Sequence, residues 1–311
     1  MNDANQQLPQ NIVEVDILKE LATLDPLDDR AFRVFISDDE QFKALAESFS
    51  GETLDGEKII HMNGEIVLTA NGRLIRTDVL RGTDTTVFNI EGQIKTEDFP
   101  LNRHIFYTAV IYASGIQKGD SWEKLKPVIS IVIYKDKGEA GLIEKGALSG
   151  DLFKTDDERK QLTLIAVNTA KWKDAPTEEM RAYLATLHNG IMTEDNKADF
   201  ADVDTTSSAF AKIQQAVKIA CAHTKKQEYK EKGDDSMSAV LDQYISKEAK
   251  EAAKNEGREE GKEEGKREGQ ATGLNLAKEI IGMLKTGIPV LEIANKYKIP
   301  ASEVEDFKVA L

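Results

Sequence analysis

The chain is short of several things, and each shortage excludes something. One cysteine, Cys221, stands among 311 residues, which rules out an internal disulfide framework and any cysteine-rich metal site. No apolar run approaches the ~18 residues of a membrane-spanning helix. Residues 1–10 are polar and have no charged stretch leading into an apolar one, so no signal peptide is expected. Reduced thiols and no membrane segment together suggest a cytoplasmic setting. The motifs G-x-x-x-x-G-K-[ST], G-x-G-x-x-G after a strand, H-E-x-x-H and G-x-S-x-G are all missing. Four histidines, His61, His104, His188 and His223, are scattered along the chain, each better read as a structural or exposed side chain than as a metal ligand.

Positive charge is also scarce. Lys and Arg number 41 against 55 Asp and Glu, a formal charge of −14. The excess is uneven. Residues 1–50 hold 4 basic and 11 acidic side chains, residues 51–100 hold 5 and 9, and residues 101–150 reverse the sign with 7 and 5. A chain this acidic is a poor general coat for nucleic acid, but a local basic groove is compatible with it.

With 40% hydrophobic residues the chain can build a sizeable core, and its length suggests more than one domain. Helical spacing marks 12–24 and 38–49. In the second, Phe42, Leu45, Ala46 and Phe49 share a face, Asp38 stands as N-cap and Gly51 follows the end. A meander of three strands is expected over 65–69, 73–80 and 85–94. Asn71-Gly72 makes its first turn and Gly82-Thr83-Asp84 its second. That turn would set Asp78 across from Asn89, with Glu91 a diagonal neighbour on one sheet face. Val87, Asn89, Glu91 and Gln93 would share this face, and Phe88, Ile90 and Gly92 the other. A helix over 101–116 and a buried strand over 127–134 follow, then a strand over 162–167 and a helix over 177–187. Everything beyond 209 reads as helix.

Between Gly257 and Gly273 glycine recurs every fourth residue between charged triplets. In a helix these glycines would form one ridge, suited to a solvated linker or to close helix–helix contact in an oligomer. The expected organisation is an N-terminal helical segment over 1–24, a main α/β domain over 25–200 and a helical region over 209–256. The glycine-periodic segment over 257–273 and a small helical tail over 274–311 complete it. The last helix of that tail, around 302–307, is acidic, which disfavours a DNA-reading helix.

Asp78 and Glu91 are the candidate pair. On spacing alone they are as readily two surface acids on a solvated face. Two carboxylates near a strand end can also share a hard divalent cation, which takes one or two carboxylates plus waters and substrate oxygens.

A longer pattern bears on that choice. I-R-T-D-V-L over 75–80, F-N-I-E-G-Q-I over 88–94, R-H-I-F-Y-T-A-V-I-Y over 103–112 and K-P-V-I-S-I-V-I-Y over 126–134 resemble the PD-(D/E)XK nuclease family transposases. These are also described as recombination-promoting nucleases. Asp29-Arg30-Ala31-Phe32-Arg33 resembles the group's D-x-x-F-[KR]. The similarity covers roughly 25–190. It implies a restriction-endonuclease-like αβββαβ core, here with an all-helical C-terminal extension, and a metal-dependent DNA endonuclease using Mg2+ or Mn2+. It also implies that Asp78 and Glu91 hold the metal, that the Gly92 carbonyl completes the inner shell, and that Gln93 occupies the usual lysine position. Arg103 and Tyr107, four apart on a helix, would contact phosphate or support Glu91. Asp29 is a further acid, and Lys126, with Lys118, Lys124 and Lys135, would supply the positive face. Two positions depart from the group: Thr77 precedes Asp78, and Asn168 stands where relatives tend to carry an acid. The partners implied are DNA and a second copy of the chain, joined through the C-terminal helices. The other reading is a catalytically weak or inactive nuclease-fold scaffold that assembles through its tail.

Overall fold

A computed structural model describes residues 10–54, 56–62, 64–68, 73–94, 100–147 and 161–309. The chain divides into two compact units, one ending at Ala249 and the other beginning at Lys250.

The first unit opens with three helices, α1 (Gln10–Leu21), α2 (Asp29–Ile36) and α3 (Asp39–Ser50). The caps explain where the last two start. The Asp28 side chain accepts from the Arg30 amide, and that of Asp38 accepts from the amides of Glu40 and Gln41, filling donors a helix start leaves unpaired. Gly51 at φ 80° ends α3 in the left-handed conformation glycine adopts without strain. Phe42, Leu45, Ala46 and Phe49 are all buried, as their spacing requires.

Six strands form the main sheet in the order β1-β4-β5-β6-β8-β7: β1 (Ile60–His61), β4 (Val79–Gly82), β5 (Val87–Gln93), β6 (Val128–Tyr134), β7 (Ile143–Ala147) and β8 (Leu162–Asn168). β1-β4 and β4-β5 pair antiparallel, β5-β6 and β6-β8 pair parallel, and β7 closes the edge antiparallel to β8. The crossover from β5 to β6 is α4 (Pro100–Ser114). One face of the sheet carries Phe88, Ile90, Ile129, Ile131 and Ile133 into the core shared with α2, α3, α5 (Glu178–Asn189) and α6 (Ser208–Glu231). On the other face Leu80 and Val128 pack with Ile111 of α4.

Three expectations are corrected. First, the meander is not continuous. β2 (Glu65–Leu68) and β3 (Arg73–Arg76) form a separate ribbon, and the chain breaks at Thr77-Asp78 before β4 begins. Thr77 donates its amide to the Gly64 carbonyl at 3.0 Å, and a Cβ on Gly64 would lie 2.6 Å from the Thr77 hydroxyl. The close approach turns the backbone off the ladder here. The Asn71-Gly72 turn lies outside the described residues.

Second, the register is offset by two residues. Leu80, not Asp78, pairs with Asn89, and Val79 pairs with Ile90. The loop is Thr83–Thr86. Its geometry is held by the Thr83 hydroxyl, which accepts from the amides of Thr85 and Thr86, and by the Thr83 amide, bonded to the Thr86 carbonyl at 2.7 Å. An offset of two keeps every side chain on its expected face. One step beyond Val79–Ile90, it brings Asp78 level with Glu91.

Third, the helices after 209 do not stand apart as a separate region. Phe210, Ile213, Val217, Ala220 and Cys221 of α6 are buried in the main core, because α6 packs against α2 and α5. In the tail, residues 274–285 are the end of one long helix, α7 (Asp235–Lys285), which contains the periodic glycines. The second unit has its own small core, in which Ile280 of α7 meets Ile293 and Ala294 of α8 (Val290–Tyr297) and Val304 of α9 (Ala301–Val309). Among the described residues no helix is long and apolar enough to cross a membrane.

Candidate active site

The break at Thr77-Asp78 leaves the end of β5 without a strand partner on the β4 side, and the Asp78 side chain fills that place. Val87 and Gln93 bond to the β6 side through their backbone. By alternation the peptide groups of Gly92 point the other way, toward β4. The Gly92 amide donates to Asp78 Oδ2 at 3.0 Å, and its carbonyl lies on the same side. Only glycine fits here. A Cβ would lie 2.9 Å from the ring of Phe32, which α2 holds fully buried.

Asp78 Oδ1 accepts from Arg33 Nε at 3.2 Å, and Arg33 Nη2 reaches Asp29 at 3.0 Å. Asp29 therefore bears on the site through Arg33. Glu91 is 3% exposed and faces α4. Its Oε1 accepts from Asn89 Nδ2 at 3.1 Å, and its Oε2 lies 3.6 Å from His104 Nδ1. Beneath, Thr108 ties His104 to β6, bonding the His104 carbonyl at 2.7 Å and the Ser130 hydroxyl at 2.8 Å. Arg103 stacks on the Tyr107 ring at 5.3 Å and its charge acts on Glu91. Gln93 ends β5 two residues beyond Glu91 and is half-buried.

The sheet therefore gathers Asp78, Glu91, Gly92 and Gln93, with Asp29 behind Arg33 and with Arg103 and Tyr107 on α4. Lys126 is not with them. Its ammonium donates to the Thr83 carbonyl at 2.8 Å, at the hairpin end of β5, about 16 Å from Glu91 at ~3.3 Å per strand residue. Lys124 is paired with Asp120 and Lys135 with Asp25. Asn168 is a structural latch. Its Oδ1 accepts from the amides of Lys137 and Ala170, and its Nδ2 donates to the carbonyls of Gly138 and Ala140. A carboxylate could not make the two donations. Arg33 and His104 join the site unforeseen. Arg33 lay within the D-x-x-F-[KR] run, which was the available signal; for His104 there was none beyond its place beside Arg103.

The electrostatics follow from burial. Desolvation raises Glu91 from 4.5 to about 7, against the opposing Asn89 hydrogen bond, and the neighbouring Asp78 charge adds to the rise. Burial likewise raises Asp78 from 3.8 to about 6, against the Gly92 amide and the Arg33 charge. Two buried acids that repel each other are what a cation would relieve. The donors are all oxygen: two carboxylates, a backbone carbonyl and the buried Asn89 Oδ1, which has no hydrogen-bond partner. Such a set fits a hard cation that keeps several waters. Among the described residues there is no group of three or more His, Cys, Asp or Glu that could hold a metal ion.

The fold is a mixed α/β sheet that brings Asp78 and Glu91 side by side at one strand end. The sequence profile of the PD-(D/E)XK nuclease family transposases matches residues 26–250, and the chain belongs to that family, whose members have a restriction-endonuclease-like α/β fold. Nothing among the curated proteins and nothing among the solved structures matches it.

Two predictions follow from this packing and charge. In metal-free protein, a carboxyl raised by folding contributes stability below its unfolded value near 4 and loses it as pH rises through about 6 and 7. The fall in melting temperature between pH 5 and pH 8 should therefore be smaller in Asp78→Asn/Glu91→Gln than in wild type. An equal fall in both would contradict the shifts. Gly92→Ala should cost about 1–3 kcal/mol through overpacking, and Phe32→Leu in the same chain should restore part of it. Urea denaturation reads this, and an undisturbed Gly92→Ala would show that Phe32 is not the obstacle.

Proposed function

We propose that this protein is a divalent-metal-dependent DNA endonuclease that hydrolyses phosphodiester bonds. The observation that carries the reading is the pairing of Asp78 and Glu91, level with each other at the buried end of β4 and β5, both held toward protonation by burial. With the separate β2-β3 ribbon set aside, the main-sheet elements run α3-β1-β4-β5-α4-β6, an order that supports the αβββαβ core of restriction endonucleases. Family membership supports a nuclease acting on DNA.

In this reading Asp78 and Glu91 hold Mg2+ or Mn2+, with the Gly92 carbonyl as a third oxygen. A cation bound there would lower the pKa of a coordinated water and neutralise charge on the phosphate. Asp78 is kept in place by the Gly92 amide and by Arg33, which Asp29 orients in turn. Gln93 can hold a water or a phosphate oxygen through its amide but brings no positive charge. Arg103, stacked on Tyr107 and, like Arg33, acting on Glu91 through its charge, would meet a phosphate above the site.

Homo-oligomerisation through the C-terminal helices belongs to the same proposal, as does an assembly role for the glycine-periodic segment. Each glycine from Gly257 to Gly273 has open space where its Cβ would be, so a neighbouring helix could approach that ridge closely. Truncation after Ala249 should then reduce the mass seen by light scattering to that of one chain; an unchanged assembly would remove the tail from the proposal.

For the activity, Glu91→Ala and Asp78→Ala should each lower Mg2+-dependent plasmid nicking by about a thousandfold. A wild type that never nicks with Mg2+ or Mn2+, or variants that nick as well as wild type, would overturn it.

A further inference from the structure

The acidic balance of the chain leaves open where a polyanion would lie, and the lysines of residues 118–135 are partly committed to carboxylate and carbonyl partners. A groove beside the site offers another path. It has a volume of about 510 Å3 and runs along β4 between α2, β1 and β3, with Asp78 in its wall. Its basic residues come from four separate elements: Arg33 of α2, His61 of β1, Arg76 of β3 and Arg81 of β4, against the acids Glu65 and Asp78. Three arginines are concentrated here, each paired with a carboxylate.

The four are not equivalent. Arg81 is 2% exposed and is fixed by Asp39, the Ser37 carbonyl and the His61 ring, with its guanidinium 5.1 Å from the Phe42 ring. It forms the floor and adds to the field without being displaced. Arg76 and His61 are accessible, with side chains 57% and 65% exposed. Arg76 is held by Glu65 at 2.7 Å in an exposed pair, a kind that contributes little and exchanges readily for a phosphate. Arg33 is the one groove arginine that touches Asp78, and it joins the groove to the site.

We propose that the groove along β4 is the track for the DNA strand beside the scissile phosphate, with Arg76 and His61 taking backbone phosphates and Glu65 holding Arg76 until the strand arrives. The inference rests on the endonuclease reading for what lies at its end, but it is a statement about binding and is tested without cleavage. The contacts are to phosphate, so the track recognises the backbone and not the base sequence.

Full-length protein is titrated against a fluorescent DNA oligonucleotide in chelator at low salt, where no cutting occurs. Arg76→Ala should weaken binding about tenfold and flatten the slope of log affinity against log salt by about 0.7–0.9, one phosphate contact. Arg76→Lys should keep the salt slope. Glu65→Gln should bind about two- to fivefold more tightly, since it frees Arg76 from an exposed pair. Lys173→Ala, which follows β8, three strands away from β4 in the sheet, and pairs with Asp202, should bind as wild type does. Melting curves matching wild type establish that each variant is folded. The proposal is overturned if Arg76→Ala binds unchanged, or if Lys173→Ala weakens binding as much as Arg76→Ala. If Arg76→Ala weakens binding while the wild type never nicks DNA, the track stands and the endonuclease reading falls. If the wild type nicks in a Glu91-dependent way while Arg76→Ala binds normally, only the track falls.

Discussion

The hydrogen bond from the Gly92 amide to Asp78 is the contact around which the site is arranged. It requires the chain to leave the ladder at Thr77-Asp78, so that a side chain and not a strand meets the end of β5. It also requires glycine at 92, because Phe32 of α2 occupies the space a Cβ would need. α2 thus contributes twice, with Phe32 closing the site from below and Arg33 pairing with Asp78 from the side. The cost of this arrangement is electrostatic. Two carboxylates are taken out of water next to each other, and one arginine and one amide offset only part of the desolvation. Acids raised this far by desolvation beside a like charge mark a candidate functional site.

Charge looks different once it has a location. Most of the −14 belongs to residues 1–100. Several of those acids hold arginines on the site side of the molecule: Asp29 holds Arg33, Glu65 holds Arg76 and Asp39 holds Arg81. The acidic N-terminal third is therefore, in part, the counter-charge of a basic groove. On the proposed reading, DNA would compete with carboxylates for each arginine, which predicts weak, salt-sensitive binding strengthened by a bound cation.

How much of this could be read from sequence varies with the range of the interaction. The caps of α3, its buried face and the alternation of β5 are local, and Asp38, Phe42 and Glu91 lie where local rules put them. The hairpin register missed by two because Gly82 looked like the turn residue, whereas the Thr83 hydroxyl holds the loop one residue further on. Since the error was an even number, Glu91 stayed on its face and the Asp78–Glu91 pairing became closer. Arg33 reaches Asp78 across 45 residues, and His104 reaches Glu91 from a helix in another layer, so neither contact has a local signal. Lys126 was read by its charge alone, and what fixes it is a carbonyl at the opposite end of the strand. Asn168, which looked like a lost acid, makes donor bonds only an amide can make.

The central claim is that Asp78 and Glu91 are held ready for one cation. Calorimetric titration of Mn2+ into metal-free protein at pH 6.5, in two buffers of different ionisation heat, tests it most directly. With acids near 6 and 7, binding of one ion per chain should release about one proton, and markedly less at pH 8. No binding, or binding by Glu91→Gln with the same affinity and the same proton release, would contradict it.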